Sequence, residues 1–361
     1  MELFGRPHGQ ADVERLTGDL SQLADVRLST LEDGRARGTR VVSFALADGL
    51  AFDVLPDRCM DLGGLTFRGI PFDWRSATGY THPALFETIG DQAPGVNPWL
   101  RTYQGGLFTT CGLDTAGFAS VDEGRPYPVH GRATALQARN LCYDVEWTSD
   151  GLELWAQARM RQAVLAGENL ELTRRISTQL GSPVLRVHDT VQNLGARDQP
   201  HMILYHFNFG YPLVDRGSEV HGPSQPVGID DISRAGAEEA QRIPSTSSVV
   251  PNREFEYPLD ELTSDWTGLA VVNRGFRQGS GLAVSVRFRR SQLPSLFQWN
   301  YFEDRTNVLG FMICNGGIMG RAQARETGIL RLLKPGESCS YDLEVEFADT
   351  PDGVNRLASV S

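Results

Sequence analysis

Lysine is almost missing from this chain. Lys334 is the only one among 34 basic residues; the rest are arginine. It sits in a Lys-Pro-Gly-Glu turn, a poor setting for a Schiff base, and no Gly-Lys-Ser/Thr phosphate loop is present. Cysteine is sparse as well. Cys59, Cys111, Cys142, Cys314 and Cys339 are odd in number, far apart, and form no Cys-x-x-Cys. That excludes a zinc ribbon and a disulfide framework, and it leads us to expect a reducing, cytoplasmic location. No metal and no other cofactor is expected. Apolar runs of membrane-spanning length are absent, and residues 1–20 lack the apolar core of a signal peptide. Positive charge is in deficit: 45 acidic residues against 34 basic ones give a net charge of −11. Neither nucleic acid nor a membrane surface is an expected partner. The chain also lacks a Gly-x-Gly-x-x-Gly opening a helix, a Gly-x-Ser-x-Gly elbow, and sustained helical periodicity.

What the 361 residues do contain is a succession of strand patterns, with 40% hydrophobic residues to fill a large core. Residues 1–24 read as a polar N-terminal extension with a short helix around Ala11–Leu16. Val41–Leu46 and Leu50–Leu55 alternate around Ala-Asp-Gly, a hairpin signal. Arg58 and Asp61 follow in a glycine-bounded bend, where a solvated ion pair and a pair of ligand-binding groups are both open readings. Residues 76–104 read as a long irregular loop with Pro83, Pro94 and Pro98, of the kind that covers a site. Residues 134–194 form the clearest β-meander, with turn signals at Ser149-Asp-Gly, Gly167-Glu-Asn and Gly181-Ser-Pro. Residues 213–262 read as a long loop excursion, too poor in apolar residues for a second core. The expectation is therefore one all-β domain over residues 1–361.

The most informative stretch is residues 201–211, His-Met-Ile-Leu-Tyr-His-Phe-Asn-Phe-Gly-Tyr. Side chains alternate faces along a strand, so Leu204, His206 and Asn208 share one face. His201, Tyr205, Phe207 and Phe209 share the other, which reads as core. A histidine and an amide side by side on an apolar strand need partners, because burying them unpaired is costly. Asp114, at the end of a glycine-punctuated stretch, and His130 and Arg132, on either side of Gly131, complete the set of conspicuous polar residues. If extended, His130 and Arg132 face the same way. These groups point to acid–base and hydrogen-bond chemistry on a small polar molecule.

Five segments carry a resemblance. They are Asp57-Arg-Cys-Met-Asp-Leu-Gly, Gly105-Gly-Leu-Phe-Thr-Thr-Cys-Gly-Leu-Asp, Val129-His-Gly-Arg, Leu204-Tyr-His-Phe-Asn-Phe-Gly and Leu333-Lys-Pro-Gly-Glu. In this order they resemble the aldose 1-epimerase (galactose mutarotase-like) superfamily, in its DUF4432 branch. The resemblance implies a large antiparallel β-supersandwich with few short helices, a carbohydrate ligand, and anomer interconversion by general acid–base catalysis. It places His206 as the general acid and His130 beside the sugar ring oxygen. Arg58, Asp61, Asp114, Arg132 and Asn208 become candidate partners of sugar hydroxyls or of an acidic substituent. The family's basic glutamate falls in a Leu-Gly-Leu-Glu-Pro type segment. Here that segment reads Leu309-Gly-Phe-Met-Ile-Cys-Asn, and Met312 takes the glutamate's place. Glu303, Asp304 and Glu326 are the nearest carboxylates, and Glu326, then Asp61, are the substitutes to consider. A different sugar epimerase or isomerase, or a sugar-binding protein without turnover, stays open beside the mutarotase reading. The partner is a small carbohydrate, neutral or anionic, and the chain is expected as a monomer or homodimer.

Overall fold

The fold is taken from a computed structural model, which describes residues 1–88, 98–237, 240–244 and 250–359. Two large antiparallel sheets dominate it. The first has twelve strands. From one edge its order is Val227–Gly228, Val250–Glu256, Ser295–Glu303, Thr306–Cys314, Gln199–Phe209, Phe108–Leu113, Asp61–Phe67, Leu50–Leu55, Arg40–Leu46 and Ala24–Thr30. Arg331–Leu333 adds to the start of Gln199–Phe209, and Ile70–Pro71 adds to Asp61–Phe67. The second sheet has eight strands, in the order Arg139–Thr148, Gly151–Ala163, Asn169–Gln179, Val184–Asn193, Ser338–Ala348, Leu282–Arg289, Trp266–Asn273 and Glu219–His221.

Alternation explains how the sheets stack. In Gly151–Ala163, Leu152, Leu154, Ala156, Ala158 and Met160 are buried while the residues between them are half-buried or exposed. The inner faces of both sheets close over one contiguous core, to which Phe44, Leu172, Val187, Tyr205, Phe207, Phe288 and Leu343 belong. A second, smaller apolar cluster lies on the other face of the twelve-stranded sheet. It gathers Trp99, Tyr103, Cys111, Leu204, Phe297, Met312 and Cys314. The all-β supersandwich and the helix Gln10–Leu16 are as expected.

The excursion 213–262 differs from its expectation. It carries the strands Glu219–His221, Val227–Gly228 and Val250–Glu256 and the helix Asp231–Ala235, and so supplies edge strands to both sheets. These strands are short or polar on one side, which hides them from a search for apolar runs. The loop 76–104 includes the short helices Ala84–Thr88 and Pro98–Arg101, and its residues 89–97 lie outside the described residues.

Arg58 and Asp61 are not solvated. Both are buried, and they do not pair with each other. Arg58 donates to the carbonyls of Thr134 (2.8 Å), Thr81 (3.0 Å) and Thr102 (3.1 Å), and so ties three loop segments together. Asp61 accepts from the Thr110 amide and the Thr134 hydroxyl, both at 2.8 Å, and lies 3.8 Å from Arg174. Arg174 is itself held by Asp189 at 2.8 and 2.6 Å, and Tyr205 donates to the same carboxylate at 2.6 Å. A buried ion is costly unless it is paired or hydrogen-bonded; Asp61, Arg174 and Asp189 form the charged network between the two sheets, and the Arg58 guanidinium is met by three carbonyls. Among the described residues no helix is long and apolar enough to cross a membrane, and no three His, Cys, Asp or Glu side chains could hold a metal ion.

Candidate functional site

Strand Gln199–Phe209 runs through the middle of the larger sheet and presents different chemistry on its two faces. His201 faces the inter-sheet core, where its Nδ1 meets the Leu113 carbonyl (2.9 Å) and its Nε2 the Tyr341 hydroxyl (2.8 Å). It is a satisfied core histidine. His206 and Asn208 face the other way, into the aromatic cluster. His206 Nδ1 lies 2.8 Å from Asn208 Oδ1 and 3.1 Å from the Tyr103 hydroxyl, which also donates to Asn208 Oδ1. The Asn208 amide nitrogen donates to the carbonyls of His206 (3.0 Å) and Gly106 (3.2 Å). His206 Nε2 makes no hydrogen bond among the described residues and is not one of the fully enclosed polar atoms. Burial pushes the His206 pKa down to about 4, against the Asn208 hydrogen bond, which pulls it up.

Aromatic rings surround this imidazole. Trp99 stacks on Tyr103 with ring centres 4.2 Å apart and lies 6.1 Å from His206. Trp299 lies 5.5 Å away on the other side, nearly perpendicular to it. Gly310 sits between Asn208 and Trp299 across the strands. A Cβ there would come within 2.9 Å of the Trp299 ring and 3.2 Å of the His206 ring, so only glycine lets the two close over the strand.

His130 joins the group from a loop. Its backbone is left-handed (φ 57°), and Gly131 follows at φ 68°, where a Cβ would strike the carbonyls of Gly112 and Thr115. The His130 ring packs 4.4 Å from Trp99 and stands perpendicular to His206 at 5.7 Å. Burial and the neighbouring His206 both push its pKa down. The turn corrects the expectation for Arg132. The stretch is not extended, so strand alternation does not set Arg132 beside His130. Arg132 is exposed and lines a neighbouring cavity of about 520 Å³ with Phe86, Trp99, Pro128, Arg161 and Gln162.

The remaining candidates fall in several places. Met312 is buried directly across the ladder from His206, with Phe297 on its other side. Asp114 is held by Gln162 (2.6 Å) and faces Arg321 at 3.5 Å, in a separate polar cluster with Asp122. Glu326 is exposed at the end of the helix Arg321–Glu326 and does not join the His206 group. Arg58 and Asp61 belong to the buried network beneath the site. Arg58 touches it indirectly, by fixing the carbonyl of Thr102 beside Tyr103.

Tyr103, Trp99, Trp299 and Glu254 escaped the sequence reading. Glu254 stands across from Trp299, which stands across from Gly310 and then Asn208, so it shares the face of His206. Burial and the nearby Asp230 push its pKa up to about 7, and its Oε2 is enclosed without a partner among the described residues. The alternation Arg253-Glu-Phe-Glu-Tyr257 was the signal for that strand. The two aromatics before Gly105 had no periodicity to reveal them.

The fold recurs in solved structures at low identity. A putative aldose 1-epimerase from Klebsiella pneumoniae matches with a TM-score of 0.85 at 20% identity, over 92% of this chain and 85% of that one. A galactose mutarotase-like protein from Clostridium acetobutylicum matches at 0.64 and 12% identity, over 91% and 100%. A galactose 1-epimerase from Lactobacillus acidophilus matches at 0.54 and 10% identity, over 91% and 99%. No curated protein sequence matches significantly. The family model described as a domain of unknown function, DUF4432, matches residues 36–347. The chain belongs to the DUF4432 family, on a galactose mutarotase-like β-sandwich fold.

Proposed function

We propose that the protein is a carbohydrate isomerase of the aldose 1-epimerase type, which binds a free sugar over His206 and interconverts its anomers by acid–base catalysis. One observation carries this reading. A buried imidazole with an uncommitted Nε2 stands among Trp99, Tyr103 and Trp299. A pyranose offers apolar C–H faces for such rings and hydroxyls for the few polar groups between them. His206 is the acid–base group, and His130 binds beside the ring oxygen. Glu254 supplies a carboxyl group to a sugar hydroxyl. Arg132, which lines the neighbouring cavity, reads an acidic substituent where the sugar carries one. The structural relatives described as aldose and galactose epimerases support the substrate class.

Met312 favours a second reading, a sugar-binding protein without turnover, because a thioether neither gives nor takes a proton. NMR exchange spectroscopy on a panel of neutral and acidic aldoses separates the two. Anomer exchange faster than in buffer for at least one sugar supports the isomerase. Tight binding with background exchange across the panel supports the second reading.

A further inference from the structure

We propose that His206 works as a neutral base, locked in its Nδ1-protonated tautomer by Asn208 and Tyr103, and takes the anomeric proton at Nε2. This rests on the isomerase reading and reverses the role that the family resemblance gives to this histidine.

The hydrogen bonds settle the tautomer. The Asn208 amide nitrogen is used by two carbonyls, those of Gly106 and His206. The atom that faces the imidazole is therefore Oδ1, a pure acceptor. His206 Nδ1, at 2.8 Å from it, has to be the donor. The Tyr103 hydroxyl donates to the same oxygen and fills its second lone pair. In a neutral ring with its hydrogen on Nδ1, Nε2 holds a lone pair and has no proton to give.

Apart from the Asn208 oxygen, which draws the pKa up but is outweighed by burial, the groups packed against the ring carry no charge that would favour an imidazolium. Met312 stands across from it on one neighbouring strand, and Thr109 and Cys111 lie on the other. Trp299 comes from the next strand, Trp99 and Tyr103 from the segment before Gly105, and His130 from its loop. Tyr103, Cys111 and His130 are the titratable members of this set, and burial holds all three in their neutral forms. The substitution at Met312 then has a physical meaning. A glutamate there would be a counter-ion that stabilises the charged ring; methionine leaves it neutral.

The step balances with water as the second reactant. Nε2 takes the proton of the anomeric hydroxyl, the C1–O pair forms the carbonyl, and the bond from C1 to the ring oxygen breaks. Its electron pair stays on the ring oxygen, which takes a proton from water. The hydroxide left behind takes the proton from the imidazolium and restores the neutral ring. After rotation about C1–C2, the same transfers in reverse close the ring on the opposite face. Tyr103 does not touch the sugar proton and is a positioning residue.

The test is direct. The protein is labelled with ¹⁵N-histidine and the His206 signals are assigned with His206→Asn. At pH 7 the Nδ1-protonated tautomer is expected; an Nε2-protonated ring or an imidazolium overturns the proposal. Glu254, on the same face, titrates near 7 and would bend the profile, so the rate is followed in Glu254→Gln on a sugar that this variant still turns over; it should be level from about pH 6 to 8 and fall in acid. A rate that drops tenfold per pH unit across that range is the behaviour of an acid, and overturns it. Asn208→Asp keeps the acceptor and adds a charge, so the acid limb should move up by about one unit or more; a limb that stays put counts against the lock. A protein with the expected tautomer that turns over no sugar overturns the functional reading, and this proposal with it.

Discussion

Met312 and His206 are directly opposed across one strand pair, on the face of the sheet that carries Trp99, Tyr103 and Phe297. A carboxylate at 312 would therefore stand beside the buried imidazole. In Met312→Glu the His206 pKa should rise from about 4 towards neutrality, read by NMR titration of the labelled ring. Anomer exchange on simple aldoses should increase over the native protein. The new carboxyl group is buried without a built partner, so stability should fall by about 1–3 kcal/mol in denaturant melts. An unmoved His206 titration would show that the glutamate side chain turns away from the ring.

His206→Asn removes the proposed acid–base group and retains a similar volume. Turnover should drop by at least about a hundredfold, within the range for such groups, while circular dichroism stays native. Unchanged exchange in the folded variant would move the chemistry away from this strand.

His130→Ala and Arg132→Ala should separate two regions of the ligand. His130 packs on Trp99 and His206, so its loss should weaken binding of any turned-over sugar, measured calorimetrically. Arg132→Ala should weaken acidic sugars more than neutral ones. Arg132 is exposed, so its removal should change stability by no more than about 0.5 kcal/mol. Equal loss for neutral and acidic ligands would argue against an anion-reading role.

His201 predicts an acid sensitivity of the fold that is independent of catalysis. Burial holds its pKa down to about 4, below the ordinary 6.5, so the native state keeps the ring neutral while the unfolded chain protonates. Its contribution is complete above pH 6.5 and is lost as the pH falls from there through 4, about 3 kcal/mol in all. Urea unfolding at pH 7 and pH 4.5 should show the loss, and His201→Phe should reduce the difference between the two. An undiminished difference would assign the acid sensitivity to other groups.

The strand 201–211 was legible because its alternation is strict and both of its faces have a clear character. The supersandwich and the meander followed from the same period-two logic. The burial of Arg58 and Asp61 was not legible, because charge alone leaves solvent open as a reading. Their burial depends on Arg174 and on three loop carbonyls, far apart in sequence, which only the closed fold brings together. Tyr103 was hidden for the same reason: it reaches Asn208 across 105 positions of chain. The strand with Glu254 was overlooked because its neighbours are polar and rich in turn residues.

The two-faced strand has a consequence for how errors in folding are handled. A slip of one residue in its pairing would turn Tyr205 and Phe207 outward and drive His206 and Asn208 into the inter-sheet core, away from Tyr103 and in place of the Tyr205 bond to Asp189. Such a molecule would lose its core and its site together. Folding therefore proofreads the geometry of this face: a chain that has reached the native pairing has already set the imidazole in place.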